Sequence, residues 1–225
     1  MTTQLLMWLE SKIGLAKIFS SLVVTKPSGC WLMAKYPAST LKGMTSGVAA
    51  LQAAIELALS QIHSQKESAL SAHSPVSLEL KTDKSQTFLQ LQGGRGATSS
   101  RAGSYARVDG FSIEKLEREL PIKIQSIDHR ASEGGQGKYS GGRGLVMKIE
   151  ALDNVEAQWL SDLTLYRPRI SKNCSHGDPC EVSLETAGST KVLPVLGHQT
   201  LHKGEVLVLC SGAGGGFGKA APKED

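Results

Sequence analysis

Two glycine-rich segments of the sequence carry basic side chains and could hold an anion. The first is Gly-Gly-Arg-Gly-Ala at residues 93–97, and the second, residues 132–144, contains six glycines in thirteen residues. Backbone N–H groups in such segments can converge on an anion, and basic side chains then add charge. The candidate residues for binding an anion or a substrate are Gly93, Gly94, Arg95, Gly96, Gly134, Gly135, Gly137, Lys138, Tyr139, Gly141, Gly142 and Arg143, with Arg101 as a further basic side chain.

The same glycines have a second explanation, which is purely conformational. Glycine adopts a positive φ without steric cost, so each segment could simply turn the chain sharply between two strands. Neither segment has the spacing of a phosphate-binding P-loop or clearly opens a helix, which favours the conformational explanation. For a third glycine run, residues 212–218, the best functional explanation is close packing of backbone at a subunit contact.

Two further pairs of side chains could act on a polar ligand. His129 follows Asp128, so a carboxylate could orient an imidazole, although a surface hydrogen bond is the commoner role of such neighbours. Arg167 and Arg169 follow a predicted strand and could clamp a carboxylate or a phosphate. No Ser-His-Asp or Cys-His set of catalytic residues can be assigned from the sequence. The catalytic residues therefore stay unknown.

Metal binding is not predicted from the residues themselves. Cys174, His176 and Cys180 resemble part of a zinc site, but paired ligands at shorter spacing are usual and the fourth ligand is missing. His198 and His202 are four residues apart, yet Gly197 and a strand-like context argue against a helical metal pair.

Composition excludes several classes of protein. The chain has 225 residues with 40% hydrophobic side chains, enough for a real core. Its net charge of +4 comes from 25 basic and 21 acidic residues without a long basic run, and aromatic residues make up only 5%, so nucleic-acid binding is not expected. The first residues lack the pattern of a signal peptide, and no stretch is long enough to span a bilayer. We expect a cytoplasmic protein with reduced thiols.

Hydrophobic periodicity predicts an α+β fold. Residues 1–75 are expected to form a short α/β portion, with a short amphipathic helix or an irregular lead-in within 1–20, a strand over 21–25 and one long amphipathic helix over 45–62. Residues 76–218 are expected to form a mainly antiparallel β domain with glycine-rich turns, and 219–225 a disordered tail. The predicted elements of the β domain are strands at 76–80, 87–91, 121–127, 144–150, 155–165, 180–184, 191–195 and 204–210, and a helix at 113–120.

Five segments, in matching order, resemble the hydantoinase B/oxoprolinase family. The resemblance rests on the segment at 23–29 with Tyr-Pro-Ala at 36–38, Gln-Gly-Gly-Arg-Gly-Ala at 92–97, Glu-Arg-Glu-Leu-Pro-Ile-Lys-Ile at 117–124, the run at 132–144, and the terminal segments at 201–208 and 214–218. Together they correspond to the C-terminal region of a full-length family member.

The resemblance implies that the protein functions within a complex. Family members act with an A-type partner that binds ATP and phosphorylates an amide or related carbonyl oxygen, and the B-type protein completes ring opening or helps to carboxylate a ketone. It therefore implies a subunit or truncated form of an ATP-dependent hydantoinase or oxoprolinase, a hydrolase on the C–N bond of a cyclic amide. ATP and a divalent metal are implied for the complex but cannot be assigned to residues of this chain.

Two departures from the family pattern leave an alternative open. The N-terminal half that carries Asp and His segments has no counterpart, so another polypeptide would have to supply it. The segment 104–111 stands, without histidine, where relatives usually have a His-x-His segment. A non-catalytic assembly or binding module of a related hydrolase or ketone carboxylase complex, or a degenerate fragment, therefore remains the alternative to a catalytic subunit.

Overall fold

The computed structural model describes residues 29, 35, 37, 47–62, 68–108, 110–132, 134–162 and 173–219. The chain divides into two units, residues 1–52 and 53–225. Helix α1 (Val48–Ile62) begins in the first unit and overlaps the helix predicted over 45–62. The elements predicted within 1–20 and over 21–25 lie outside the described residues, as do residues 220–225 of the predicted tail. The division into 1–75, 76–218 and 219–225 stays a prediction.

The second unit is made mainly of antiparallel strands, which confirms the coarse expectation of β sheets with few helices. Its elements in chain order are β1 (Val76–Lys81), β2 (Gln86–Leu91), α2 (Ile113–Glu119), β3 (Ile122–His129), β4 (Leu145–Ala151), β5 (Val155–Leu160), β6 (Cys174–Ser175), β7 (Glu181–Thr186), β8 (Ser189–Val192), β9 (Leu196–Leu201), β10 (Val206–Cys210) and β11 (Gly216–Phe217).

These strands form three sheets. The order in the four-stranded sheet is β2-β1-β5-β9, and in the five-stranded sheet it is β3-β4-β10-β7-β8. The short strands β6 and β11 pair with each other. Every pair of neighbouring strands is antiparallel.

Both large sheets contribute to one hydrophobic core. Side chains alternate between the two faces of a strand, and Leu78 and Leu80 of β1 are fully buried, as are Met147 and Ile149 of β4. These side chains belong to the same cluster as Trp159, whose indole Nε1 donates a hydrogen bond of 2.8 Å to the carbonyl of Pro194. The indole N–H of this large side chain therefore has a hydrogen-bond acceptor although the ring is buried.

The short helix α2 covers one edge of this core. Ser112 caps its N-terminus by accepting a hydrogen bond from the Lys115 amide, and Leu116 is its buried residue. The helix ends before Pro121, whose ring cannot continue a helix. The predicted helix at 113–120 and the strand that follows it are thus confirmed.

The strand predictions succeed where apolar and polar residues alternate and fail at the exposed edges. Most of the predicted β-domain strands coincide with strands of the structure to within a few residues, although β5 ends at Leu160. The prediction of a strand over 191–195 is wrong, because β8 ends at Val192 and a new strand, β9, begins at Leu196. Both are edge strands, and edge strands need no continuous apolar face. The short strands β6 and β11 were not predicted.

No helix in the described part of the chain is both long enough and apolar enough to cross a bilayer.

Cys180 is a core residue. Its side chain is 1% exposed, and its Sγ lies 3.9 Å from the carbonyl oxygen of Ser74. Burial raises the pKa of this thiol to about 12, outweighing the nearby charge of Arg130, which lowers it. Burial also raises the pKa of Cys210 at the end of β10. Protonated, buried thiols are poor metal ligands and poor nucleophiles.

We predict that Cys180 resists alkylation by iodoacetamide in the folded protein at mildly alkaline pH. With its pKa raised from 9.0 to about 12, its thiolate fraction falls about 10³-fold below that of a free thiol. Peptide mapping by mass spectrometry after native labelling, with labelling in urea as the control, measures this. Comparable labelling of Cys180 in both states would contradict the burial.

The same shift predicts a loss of stability at high pH. The folded chain holds the Cys180 proton more tightly than the unfolded chain, so this contribution is complete below about pH 9 and falls as the pH rises toward 12. Urea unfolding across this range should show a steeper loss for the wild type than for Cys180→Ala. Equal slopes would show that the thiol does not contribute.

Candidate functional site

Three loops meet at one end of the five-stranded sheet. We call residues 93–106 the first glycine loop, 134–144 the second and 211–217 the third. The first follows β2, the second precedes β4, and the third follows β10. Since β4 and β10 are antiparallel neighbours with Val146 opposite Cys210, the second and third loops leave the sheet at the same end.

Backbone hydrogen bonds join the three loops directly. The Gly94 amide donates to the carbonyl of Gly212 at 2.9 Å, and the Gly142 amide donates to Arg95 at 2.8 Å. The Gly214 amide in turn donates to Gly142 at 2.9 Å, which closes a circuit through all three loops. Further bonds between the loops run from Gly103 to Ser140, from Ala106 to Arg143, from Ala97 to Gly215 and from Gly135 to Gly214. The loops therefore form one hydrogen-bonded layer without regular strands across most of its length.

The glycines at these crossings are needed because the backbones approach too closely for a side chain. A Cβ atom on Gly94 would fall against the backbone of Gly142, one on Gly142 against Ser104, and one on Gly214 against Arg95. All three approaches are well under 3.0 Å, a separation that real Cβ atoms essentially never show.

The explanation that these glycines are needed to adopt a positive φ is wrong. Among the described residues, the glycines with positive φ are Gly29, Gly110, Gly188, Gly204 and Gly218. None of the candidate glycines at 93–96 or 134–142 is among them. The sequence requires glycine here for close approach of backbone and not for access to left-handed turns.

The third glycine loop packs within its own chain. A Cβ on Gly216 would meet the backbone of Gly135 and Gln136, and one on Gly215 would meet Ser175. Residues 211–216 are all buried. The expected close packing of backbone is present, but its partners are the other loops of this chain, so it gives no sign of a subunit contact.

The backbone amides of the candidate loops are largely committed to protein acceptors. The amides of Gly94, Arg95, Gly96, Gly135, Tyr139, Gly141 and Gly142 each donate to a carbonyl or hydroxyl oxygen of this chain at 2.8 to 3.0 Å. An anion could not use these donors without breaking the layer. Anion binding by the loops stays a prediction, and it now depends on the basic side chains.

Those side chains lie around the layer at its surface. Arg95, Arg101 and Lys138 are exposed, and Arg143 is half-buried. The Lys138 Nζ lies 5.4 Å from the centroid of the Tyr139 ring, and the Arg143 Cζ lies 5.7 Å from that of Tyr105. Both are cation–π distances, which orient each cation over a ring.

His129 is oriented by the first glycine loop instead of by Asp128. Its Nε2–H donates a hydrogen bond of 3.1 Å to the carbonyl of Ala106, and its ring meets Tyr105 edge-on at 5.2 Å. Asp128 and His129 are neighbours on β3, where successive side chains point to opposite faces. The hypothesis of an Asp-oriented imidazole is therefore wrong. Sequence reasoning missed Tyr105, which has no motif of its own.

The remaining candidates that the structure describes lie in separate places. Arg167 and Arg169 lie outside the described residues. His198 is in the exposed strand β9, and the Nδ1 of His202 lies 3.0 Å from the Oδ1 of Asn154. Cys174 is in β6, opposite Phe217. Within the described ranges, no three His, Cys, Asp or Glu side chains come close enough to hold a metal ion.

These features define an antiparallel β protein whose sheets are joined at one end by a layer of glycine-packed loops. A family model described as Hydantoinase B/oxoprolinase matches residues 16–220, which is most of the chain. The chain belongs to the hydantoinase B/oxoprolinase family.

Known relatives are much longer than the part that matches. The 5-oxoprolinase of Saccharomyces cerevisiae is 29% identical over 108 residues, 47% of this chain but 8% of that protein. The 5-oxoprolinase 1 of Arabidopsis thaliana is 31% identical over 107 residues, with the same coverage of 47% and 8%. The match thus spans less than a tenth of the length of these relatives.

A solved structure shares the fold. The crystal structure of the ATP-dependent caprolactamase from Pseudomonas jessenii matches with a TM-score of 0.68 and 20% identity. The match covers 88% of this chain and 38% of that one. The fold of this chain is therefore found within a longer chain.

We predict that Gly142→Ala lowers the free energy of unfolding by about 3 kcal/mol, because the new methyl group must displace the Ser104 backbone. The matched control is Gly188→Ala in the β7–β8 turn, where a Cβ meets nothing within 4 Å and only the positive φ costs about 1 kcal/mol. Urea denaturation of the three proteins measures both. A control that costs as much as Gly142→Ala would contradict the close-packing requirement.

Proposed function

We propose that this chain is the C-terminal part of a B-type component in an ATP-dependent hydrolase of cyclic amides. It acts with an ATP-binding A-type protein and with a polypeptide that supplies the N-terminal half of the B-type component. The observation that carries the proposal is the family match over residues 16–220 in a chain that spans only 38% of a relative of the same fold.

The preserved loop layer supports retention of a working fold. Three loops from separate parts of the sequence still make the backbone contacts that need glycine at each crossing. A degenerate fragment would be free to acquire larger side chains at these crossings. The layer would then be lost, whereas here it is intact. We propose residues 76–218 as the β-rich C-terminal region of this component and residues 1–75 as its α/β portion.

The chemistry of ring opening is assigned to the complex and not to this chain alone. The donor sets of the described residues do not fit a divalent metal, since no three ligating side chains converge. In the proposed complex the A-type partner binds ATP, and no metal is assigned to residues of this chain. ATP would supply the phosphoryl group that turns an amide oxygen into a good leaving group. This chain would complete and shape the β-rich part of the assembly.

One observation favours a second candidate, a non-catalytic assembly module. Many of the loop amides that could have stabilised an anionic intermediate already donate within the protein. A chain that contributes only scaffold would also preserve the glycine crossings. The two candidates differ in whether the complex that contains the chain turns over a cyclic amide.

We expect affinity purification of the tagged chain from its native cells to recover an ATP-binding protein together with a second B-type polypeptide. The eluate should hydrolyse 5-oxoproline, hydantoin or caprolactam only when ATP is present. The matched control is the Gly142→Ala variant, in which loss of the loop layer should reduce recovery of both partners.

Recovery of both partners without turnover of any of the three substrates would favour the assembly module. Recovery of neither partner by the wild-type chain would contradict the proposed function.

A further inference from the structure

Arg130 joins three segments at the end of the five-stranded sheet where the glycine loops meet. It follows β3 directly, and its own amide donates a hydrogen bond of 2.9 Å to the carbonyl of Gly144 in the second glycine loop. Its side chain is half-buried, and Nη1 donates to the carbonyl of Pro179 at 2.6 Å and to that of Ser211 at 3.1 Å. Pro179 lies shortly before β7, and Ser211 begins the third glycine loop after β10.

Ser211 depends on the Arg130 guanidinium for its last hydrogen bond. Ser211 is 0% exposed, its amide donates to the carbonyl of Leu145, and its hydroxyl accepts from the Leu145 amide, both at 2.8 Å. Within the described ranges, no backbone N–H donates to the carbonyl of Ser211 or of Pro179. A buried carbonyl without a donor costs free energy, and a charged donor makes a stronger bond than a neutral one. The start of the third loop is therefore held by both Leu145 and Arg130.

The guanidinium is bonded to backbone and not to a carboxylate. The ion pairs between described residues join other side chains, so Arg130 is not held in place by an acidic partner from that part of the chain. Its positive charge acts on the same end of the sheet. Burial raises the pKa of Cys210 at the end of β10, and the charge of Arg130 lowers it.

We propose that Arg130 is a positioning residue for the candidate site, fixing the second and third glycine loops to the end of β3. Through the second loop it positions the basic side chains of Lys138 and Arg143, on which anion binding now depends. The value of that position for turnover rests on the proposed function. The bonds of Arg130 to the loops do not, so they are tested on the chain alone.

The test is amide hydrogen exchange, measured by NMR on the full chain. The probe is the Ala213 amide, which donates to the carbonyl of Asp178 and so joins the third loop to the segment before β7. In Arg130→Gln it should exchange at least about tenfold faster, because two bonds from a charged donor are lost. The buried Ala151 amide at the opposite end of β4 should change by less than about twofold, as should both amides in the control Arg118→Gln, an exposed arginine of α2.

The conservative variant Arg130→Lys separates positioning from general stability. It keeps a cationic donor, so Ala213 should exchange more slowly in it than in Arg130→Gln, and equal exchange in the two would overturn the need for a cation. Unchanged exchange at Ala213 in Arg130→Gln, or equal acceleration at Ala151, would overturn the positioning role. If Arg130→Gln does not fold, Arg130→Lys decides by the same comparison of Ala213 with Ala151. Recovery of a complex tests the proposed function separately, so failure of one does not imply failure of the other.

Discussion

Contact between three backbones, without side chains between them, is the constraint on which this end of the molecule depends. Gly94, Gly142 and Gly214 each lie where a Cβ atom would collide with a neighbouring loop, and their amides bond those loops together. Because the first loop leaves the four-stranded sheet and the other two flank strands of the five-stranded sheet, the layer ties both sheets together. Hydrogen bonds between the loops connect them here, as hydrogen bonds between neighbouring strands connect a sheet.

This constraint also determines what chemistry the loops can perform. An amide that closes a backbone crossing is not available to a ligand, so an anion bound at these loops would depend mainly on their basic side chains. What remains for recognition is the outer edge of the layer, where arginine, lysine and one tyrosine project from an ordered backbone. The same fold also occurs within a longer chain of known structure.

The sequence predicts those parts of the fold that depend on local pattern. The alternation in β1 and β4 and the capped helix before Pro121 follow from burial periodicity and backbone sterics, and the structure agrees. The edge strands β8 and β9 were misplaced because their residues are mostly exposed and their pairing is decided by neighbours distant in sequence. The role of the glycines was wrongly predicted for the same reason, because the close approach of residues 94 and 142 cannot be recognised from the sequence around either residue. The motif pointed to the right residues, but only the structure shows what they contact.

The family assignment and the loop layer together describe a protein that keeps an ordered fold while spanning a small part of its relatives. The most direct measurement is hydrogen exchange, by NMR, of the amides of Gly94, Gly142 and Gly214. If backbone packing locks the loops, these amides should exchange as slowly as those of β4 and β10, although they lie outside the strands. Exchange as fast as in the exposed turn at residues 187–188 would contradict the layer as the element that holds this end of the molecule together.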